Sequence, residues 1–333
     1  MKLPCGTHSY EWLEDWASPP ADELTGAGWA HHDVVITADQ KVIAFQSGGD
    51  AVAVFDQQGR LVDTWPTGLV EAHGMTITGP PGDERLWIAD PGTKMVPAGE
   101  GAYNEHSSGE HGRVVVFDLT GRRLGSLPTP DIAAYASQRF CPTAVAVDDR
   151  ADGDHSVWIA DGYGESLVHR LSSTGEVELT LTGEEGAGRF NCPHSLLIDQ
   201  RRSPGRVYIT DRGNDRLQVY DLDGGFLKIV SDGLRLPSAL AVSGDEMIVA
   251  ELTARIAVLD PDDHVVCYLG TDDEAPRRQG WPNAATVDGR IVRADLRPGR
   301  FNSPHGIAVD SRGDLYVAEW LIGGRLTRLR RDD

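Results

Sequence analysis

Residues 192–199 read CPHSLLID and residues 303–310 read SPHGIAVD. In both, a Pro-His pair stands directly before a short apolar run that closes on Asp. Weaker forms recur at HHDVVIT (31–37), AHGMTIT (72–78), CPTAVAVD (141–148) and LPSALAVS (236–243), which makes six copies along the chain. Recurrence of this kind marks a repeat architecture, each copy being one supersecondary unit.

Each copy is followed by a second apolar run closing on an acidic or amide residue: VIAFQ, LWIAD, VWIAD, VYITD, MIVAE and LYVAE. In most copies a third run then leads through a glycine turn into a fourth, as in RVVVFDLTGRRLGSL and RLQVYDLDGGFLKIV. β-Branched or aromatic residues alternate with polar ones, so each unit reads as a four-stranded antiparallel meander. No stretch has helical periodicity. Six such units predict an all-β, six-bladed β-propeller, which leaves no long sheet edge exposed. The sixth copy stops at RLTRLRRDD after its third strand, and SYEWLEDW (9–16) has the length and alternation to supply the missing outer strand. The fold would then close circularly within a single domain, 1–333, interrupted by two long inserted stretches at 91–112 and 271–302.

Composition narrows the function classes. The chain is 40% hydrophobic and 25% charged, with 38 glycines and a formal net charge of −20. That charge repels phosphate backbones and anionic lipid, so neither nucleic acid nor a membrane is an expected partner. The N-terminal MKLPCGTHSYEW lacks the apolar stretch of a signal peptide, and no run has the length of a membrane span. A cytoplasmic location is expected. There the four cysteines, which have no CxxC spacing, would stay reduced, with Cys141 and Cys192 packed inside blades.

In a propeller the first strand of every blade begins at one mouth, near the axis. The six threshold positions are His32, His73, Thr143, His194, Ser238 and His305. Four imidazoles on one ring point to a metal, since unpaired buried nitrogens would each cost about 1–3 kcal/mol. Imidazole ligands without thiolate favour zinc, iron, copper or nickel over calcium or magnesium.

The whole chain resembles the NHL-repeat six-bladed propellers. Residues 140–220, with FCPTAVAVD, DGYGES, RFNCPHSLLID and DRGNDRLQVY, resemble the catalytic core of peptidyl-α-hydroxyglycine α-amidating lyase. The resemblance implies a catalytic zinc on His73, His194 and His305, a catalytic tyrosine at Tyr163 and an active-site arginine at Arg212. It implies a reaction in which a carbinolamide loses its hydroxyl proton, expels the amide nitrogen and leaves an aldehyde. A three-histidine zinc with an open position supplies Lewis acidity for such chemistry.

Several residues depart from the family pattern. Ser47 stands where the family has an arginine for the substrate carboxylate, so peptidyl-hydroxyglycine itself is not the expected substrate; Arg277, Arg278 or Arg297 is a candidate replacement. Gly306 stands where an acidic calcium ligand would be, so calcium is not expected. Ser303 and Gly164 replace a methionine and a disulfide cysteine. His32 adds a fourth imidazole, as a further ligand or as a base or substrate contact behind the metal. Other substrate contacts are expected at Ser47, Thr143, Ser238 and Trp320. The expectation is a metal-dependent carbon–heteroatom lyase for a small hydroxylated or amide-bearing molecule, with zinc, or alternatively iron, as cofactor. The competing readings are a four-histidine iron oxygenase and a non-catalytic NHL-type binding platform.

Overall fold

The computed structural model describes residues 1–17, 29–46, 49–99, 102–150 and 153–332. Their strands form six antiparallel sheets of four or five strands, and the fold is the six-bladed β-propeller that the repeat predicts.

Residues 69–93 and 107–237 form one compact unit. It contains blade 2 (Gly74–Thr78, Arg85–Asp90, Arg113–Asp118 and Arg123–Leu127). Blade 3 (Ala144–Val147, Val157–Asp161, Leu167–Leu171 and Val177–Leu181) follows. Blade 4 comprises Pro193–Asp199, Arg206–Asp211, Arg216–Asp221 and Phe226–Val230. Within each sheet the strands lie in chain order, as a meander requires.

The continuous apolar runs have a direct cause in the packing. Side chains alternate across a strand, and a middle strand of a blade is covered on both faces. Trp158 and Ala160 pack with Leu196, Val207, Ile209 and Tyr220 of blade 4. Val157 and Ile159 turn the other way, toward Ala89 and Val114 of blade 2. Val157–Asp161 is therefore buried at every position, each large apolar side chain contributing roughly 1.5–3 kcal/mol.

The second unit comprises residues 1–68, 94–106 and 238–333. Blade 1 is Val35–Ile36, Val42–Phe45, Ala51–Phe55 and Leu61–Pro66. Blade 5 is Pro237–Ser243, Glu246–Glu251, Arg255–Leu259 and Val265–Leu269. Blade 6 joins the chain ends: Pro304–Val309, Leu315–Glu319 and Arg325–Asp332 pair in series, and His8–Ala17 pairs with Arg325–Asp332. The expected circular closure is present, with Glu11 opposite Arg330 and Trp12 opposite Leu329. Tyr10 and Trp12 face the core and Glu11 pairs outside with Arg330.

Two features differ from the sequence reading. Lys2–Cys5 folds back on His8–Ala17 as a fifth strand of blade 6. Cys5 is also disulfide-bonded to Cys267 on the outer strand of blade 5, their Cα atoms 5.4 Å apart. The expectation of reduced cysteines fails for this pair because the hairpin, invisible as a motif, brings together residues separated by 262 positions. The inserted stretches contain short hairpins, Thr93–Gly99 with Ala102–Ser107 and Ala284–Val287 with Arg290–Arg293. Within this unit the Tyr103 hydroxyl donates to Asn283 Oδ1 at 3.0 Å, linking the two insertions.

Candidate metal and catalytic site

In blades 2, 3, 4 and 6 the acidic residue closing the second strand holds the segment that enters the first strand. Asp90 accepts the N–H groups of Val70 and Glu71, Asp161 that of Cys141, and Asp211 that of Asn191. In blade 6, Glu319 accepts those of Asn302 and Ser303. Each anchored N–H lies two or three residues before a threshold position, so the carboxylate fixes where that position begins. Burial raises the pKa of Asp90 and Asp161, and the N–H groups they accept oppose the rise.

Threshold residues also bond to neighbouring blades. The Thr143 hydroxyl donates to Pro193 O at 2.9 Å and that of Ser238 to Pro304 O at 2.9 Å. Both residues are buried and their hydroxyls face backbone, so they join neighbouring blades. His73 Nδ1 lies 2.6 Å from Thr143 O, and His305 Nδ1 lies 3.1 Å from His32 O. A carbonyl only accepts, so each Nδ1 carries the proton and each Nε2 the lone pair, the tautomer a metal requires.

In the unit holding blades 2 to 4, three side chains converge. The Tyr163 hydroxyl is 3.0 Å from His73 Nε2 and 3.2 Å from His194 Nε2. The rings of His73 and His194 are 4.6 Å apart. The Arg212 guanidinium stands 5.6 Å from the centre of the Tyr163 ring. Burial raises the pKa of the phenol, and the charge of Arg212 acts in the opposite direction without overcoming it. Glycine is required on both sides of Tyr163. A Cβ on Gly162 would stand 2.4 Å from Pro193 O, and one on Gly164 would stand 2.3 Å from an Asp161 carboxylate oxygen.

In the other unit, the histidine beside His305 is His31, with ring centroids 4.4 Å apart. His31 also stacks on Trp320 at 4.7 Å, which places the expected substrate contact Trp320 against an imidazole. His31 and His305 are thus neighbours within this unit, as His73 and His194 are within the other. The sequence reading named His32 for this set; the structure substitutes its neighbour. His32 Nδ1 instead donates to Asp33 O at 2.7 Å. Burial lowers the pKa of His32 to about 4, against a smaller raising effect of that hydrogen bond. The reason for the exchange lies in the backbone: Trp29–Ala30 pairs with Leu321–Ile322, and the first strand of blade 1 starts only at Val35. His32 therefore does not stand at the start of the strand, the threshold position that the repeat alignment assigns to it.

Ser47 lies outside the described residues. The arginines considered as replacement clamps are held elsewhere, Arg278 and Arg297 by Asp272 and Arg277 by Glu274. At Gly306 a Cβ would stand 2.6 Å from the Asp33 Cα, so close backbone approach accounts for the missing side chain. Cys141 is buried as expected. Cys192, expected to be packing, is instead at the site, its Sγ accepting a hydrogen bond from Arg212 Nη2 at 3.2 Å.

Residues 301–320 match the NHL repeat. The chain is 33% identical to mouse NHL repeat-containing protein 3 over 80% of its own length and 69% of the relative's. For the human protein of the same name the figures are 28%, 66% and 64%, so about a third of each relative lies outside the match. Among solved structures, a Bacteroides thetaiotaomicron protein of unknown function aligns over 99% of this chain and 83% of its own, with a TM-score of 0.61 and 15% identity. A streptogramin B lyase aligns over 99% of this chain and all of its own, with a TM-score of 0.56 and 13% identity.

Proposed function

The chain belongs to the family of NHL repeat-containing proteins, and from that premise we propose that it is a metal-dependent carbon–heteroatom lyase centred on Tyr163. The observation that carries this reading is the Tyr163 hydroxyl, set between His73 Nε2 and His194 Nε2 with Arg212 beside its ring. The donor chemistry fits a metal: in each unit a pair of buried imidazoles, one of each pair with Nδ1 turned to a backbone carbonyl. His73, His194 and His305 would hold the ion, with His31 as the fourth imidazole. Bound there, zinc or iron would supply Lewis acidity and positive charge beside the phenol.

The protein's own residues account for the proton transfers. Tyr163, as phenolate, takes the hydroxyl proton of a small carbinolamide. The oxygen's electrons form the carbonyl, the carbon–nitrogen bond breaks, and the departing amide nitrogen takes that proton from the Tyr163 hydroxyl, which regenerates the phenolate. Arg212, always protonated, balances the phenolate charge. A solved streptogramin B lyase of related fold supports only the compatibility of a propeller with lyase chemistry.

The test combines metal analysis with a panel of carbinolamides. Tyr163→Phe is expected to keep fold and metal and to slow the chemical step about 10²–10⁴-fold, the usual loss for a general base. Near wild-type turnover in that variant would remove the tyrosine mechanism. The position of His31 beside His305 favours a second reading, a four-histidine iron oxygenase; redox-active iron together with oxygen consumption would select it. A stable protein that binds no metal would leave the non-catalytic platform.

A further inference from the structure

Cys192 has a backbone φ of +59°, a region that L-residues enter only against steric resistance and that glycine enters readily. Its atoms are nevertheless all engaged. Its N–H donates to the Ser166 hydroxyl at 3.3 Å, its carbonyl accepts the N–H of Arg212 at 3.2 Å, and its Sγ accepts from Arg212 Nη2 at 3.2 Å. Ser166 lies in the turn that presents Tyr163, and its own N–H returns to Asp161 O. Two residues beyond Cys192 is His194. One residue thus joins the segments that deliver the tyrosine, a histidine and the arginine.

We propose that Cys192 is a positioning residue whose sulfur sets the orientation of Arg212 over the Tyr163 ring. The consequence for catalysis rests on the lyase reading above; the placement of the arginine does not. Arg212 Nη1 is buried and has no hydrogen-bond partner, so the side-chain bonds of the guanidinium go to Tyr163 itself and, through Nη2, to the Cys192 sulfur, which fixes the rotation of the planar fork from outside the phenol's own turn. A protonated thiol is suited to this task because it is a weak, uncharged acceptor. A carboxylate at the same place would hold the guanidinium more firmly but would cancel the charge needed beside the phenol. The left-handed backbone at residue 192 is explained in the same way: glycine would fit the turn but would leave Arg212 Nη2 without its sulfur acceptor.

Crystal structures and kinetics of Cys192→Gly and Cys192→Ser, each compared with wild type, test the proposal. The glycine variant is expected to melt no lower than wild type while its Arg212 guanidinium leaves the Tyr163 ring. With a carbinolamide substrate, kcat and kcat/KM should fall together by about tenfold or more, the pattern for an interaction made in the transition state. The serine variant keeps a hydroxyl acceptor and should restore both the arginine's placement and part of the rate. If glycine loosens the loop, Cys192→Ala keeps the Cβ and gives the same comparison. An Arg212 that stays in place in Cys192→Gly and Cys192→Ala, or a serine variant no better than glycine, would overturn the proposal. Displacement of Arg212 in a protein whose wild type cleaves no carbinolamide would support the clamp while removing the lyase reading.

Discussion

His31 and His32 are adjacent, yet only His31 faces His305. His31→Ala is therefore expected to weaken zinc binding by at least the 10–100-fold typical of disturbed metal sites, and His32→Ala to leave it nearly unchanged. Competition against a chromophoric chelator measures both, and the opposite order would return the fourth ligand to His32. No side-chain property separates the two in HHDVVIT; the difference comes from the pairing of Ala30 with Leu321. Cys192 was similarly illegible, because its left-handed backbone has no signature in CPHSLLID. A third histidine makes a separate prediction. The Tyr135 hydroxyl donates to Asp161, so it accepts from His169 Nε2, while Nδ1 faces the Thr180 hydroxyl. Burial lowers the pKa of His169 to about 4. Between that value and about 6.5 the unfolded chain binds a proton that the native site refuses. Stability is then full above pH 6.5 and declines as pH falls toward 4, by about 3 kcal/mol from this residue. Urea titrations at pH 7 and pH 5 measure the decline, and His169→Gln should flatten it.

The repeated unit is a strand pair with a carboxylate clamp. The alternation and glycine turns were readable because they obey the two-residue period of a strand. The acidic terminus of VWIAD and VYITD was visible too, but its task was not, since the N–H groups it accepts lie about 20 residues earlier. The segment after the clamp has little room. Gly162→Ala would drive a Cβ to 2.4 Å from Pro193 O and 2.7 Å from Thr143 Oγ1, and should destabilise by about 1–3 kcal/mol. Gly125→Ala is the control, in a strand where an added Cβ meets nothing within 4 Å, and it should change stability by less than about 1 kcal/mol. Equal effects in denaturant titrations would refute the close-approach account.

For the whole molecule, the number of blades and their closure by residues 9–16 followed from the repeat and its truncated sixth copy. The bond between Cys5 and Cys267 did not follow, because a pairing across 262 positions leaves no local pattern. Such bonds persist in oxidising compartments, which weighs against the expected cytoplasmic location. Cys5→Ser, or reduction of the wild type, is expected to lower stability by about 2–5 kcal/mol; a melting temperature indifferent to reductant would show that the bond contributes nothing. The pairing of His8–Ala17 with Arg325–Asp332 also governs the order of events during synthesis. Apart from its hairpin with Lys2–Cys5, the strand His8–Ala17 must wait for its other neighbour until residues beyond 325 have left the ribosome. Chains arrested before that point would carry Tyr10 and Trp12 without their cover, a hydrophobic liability that chaperones or rapid degradation would have to contain.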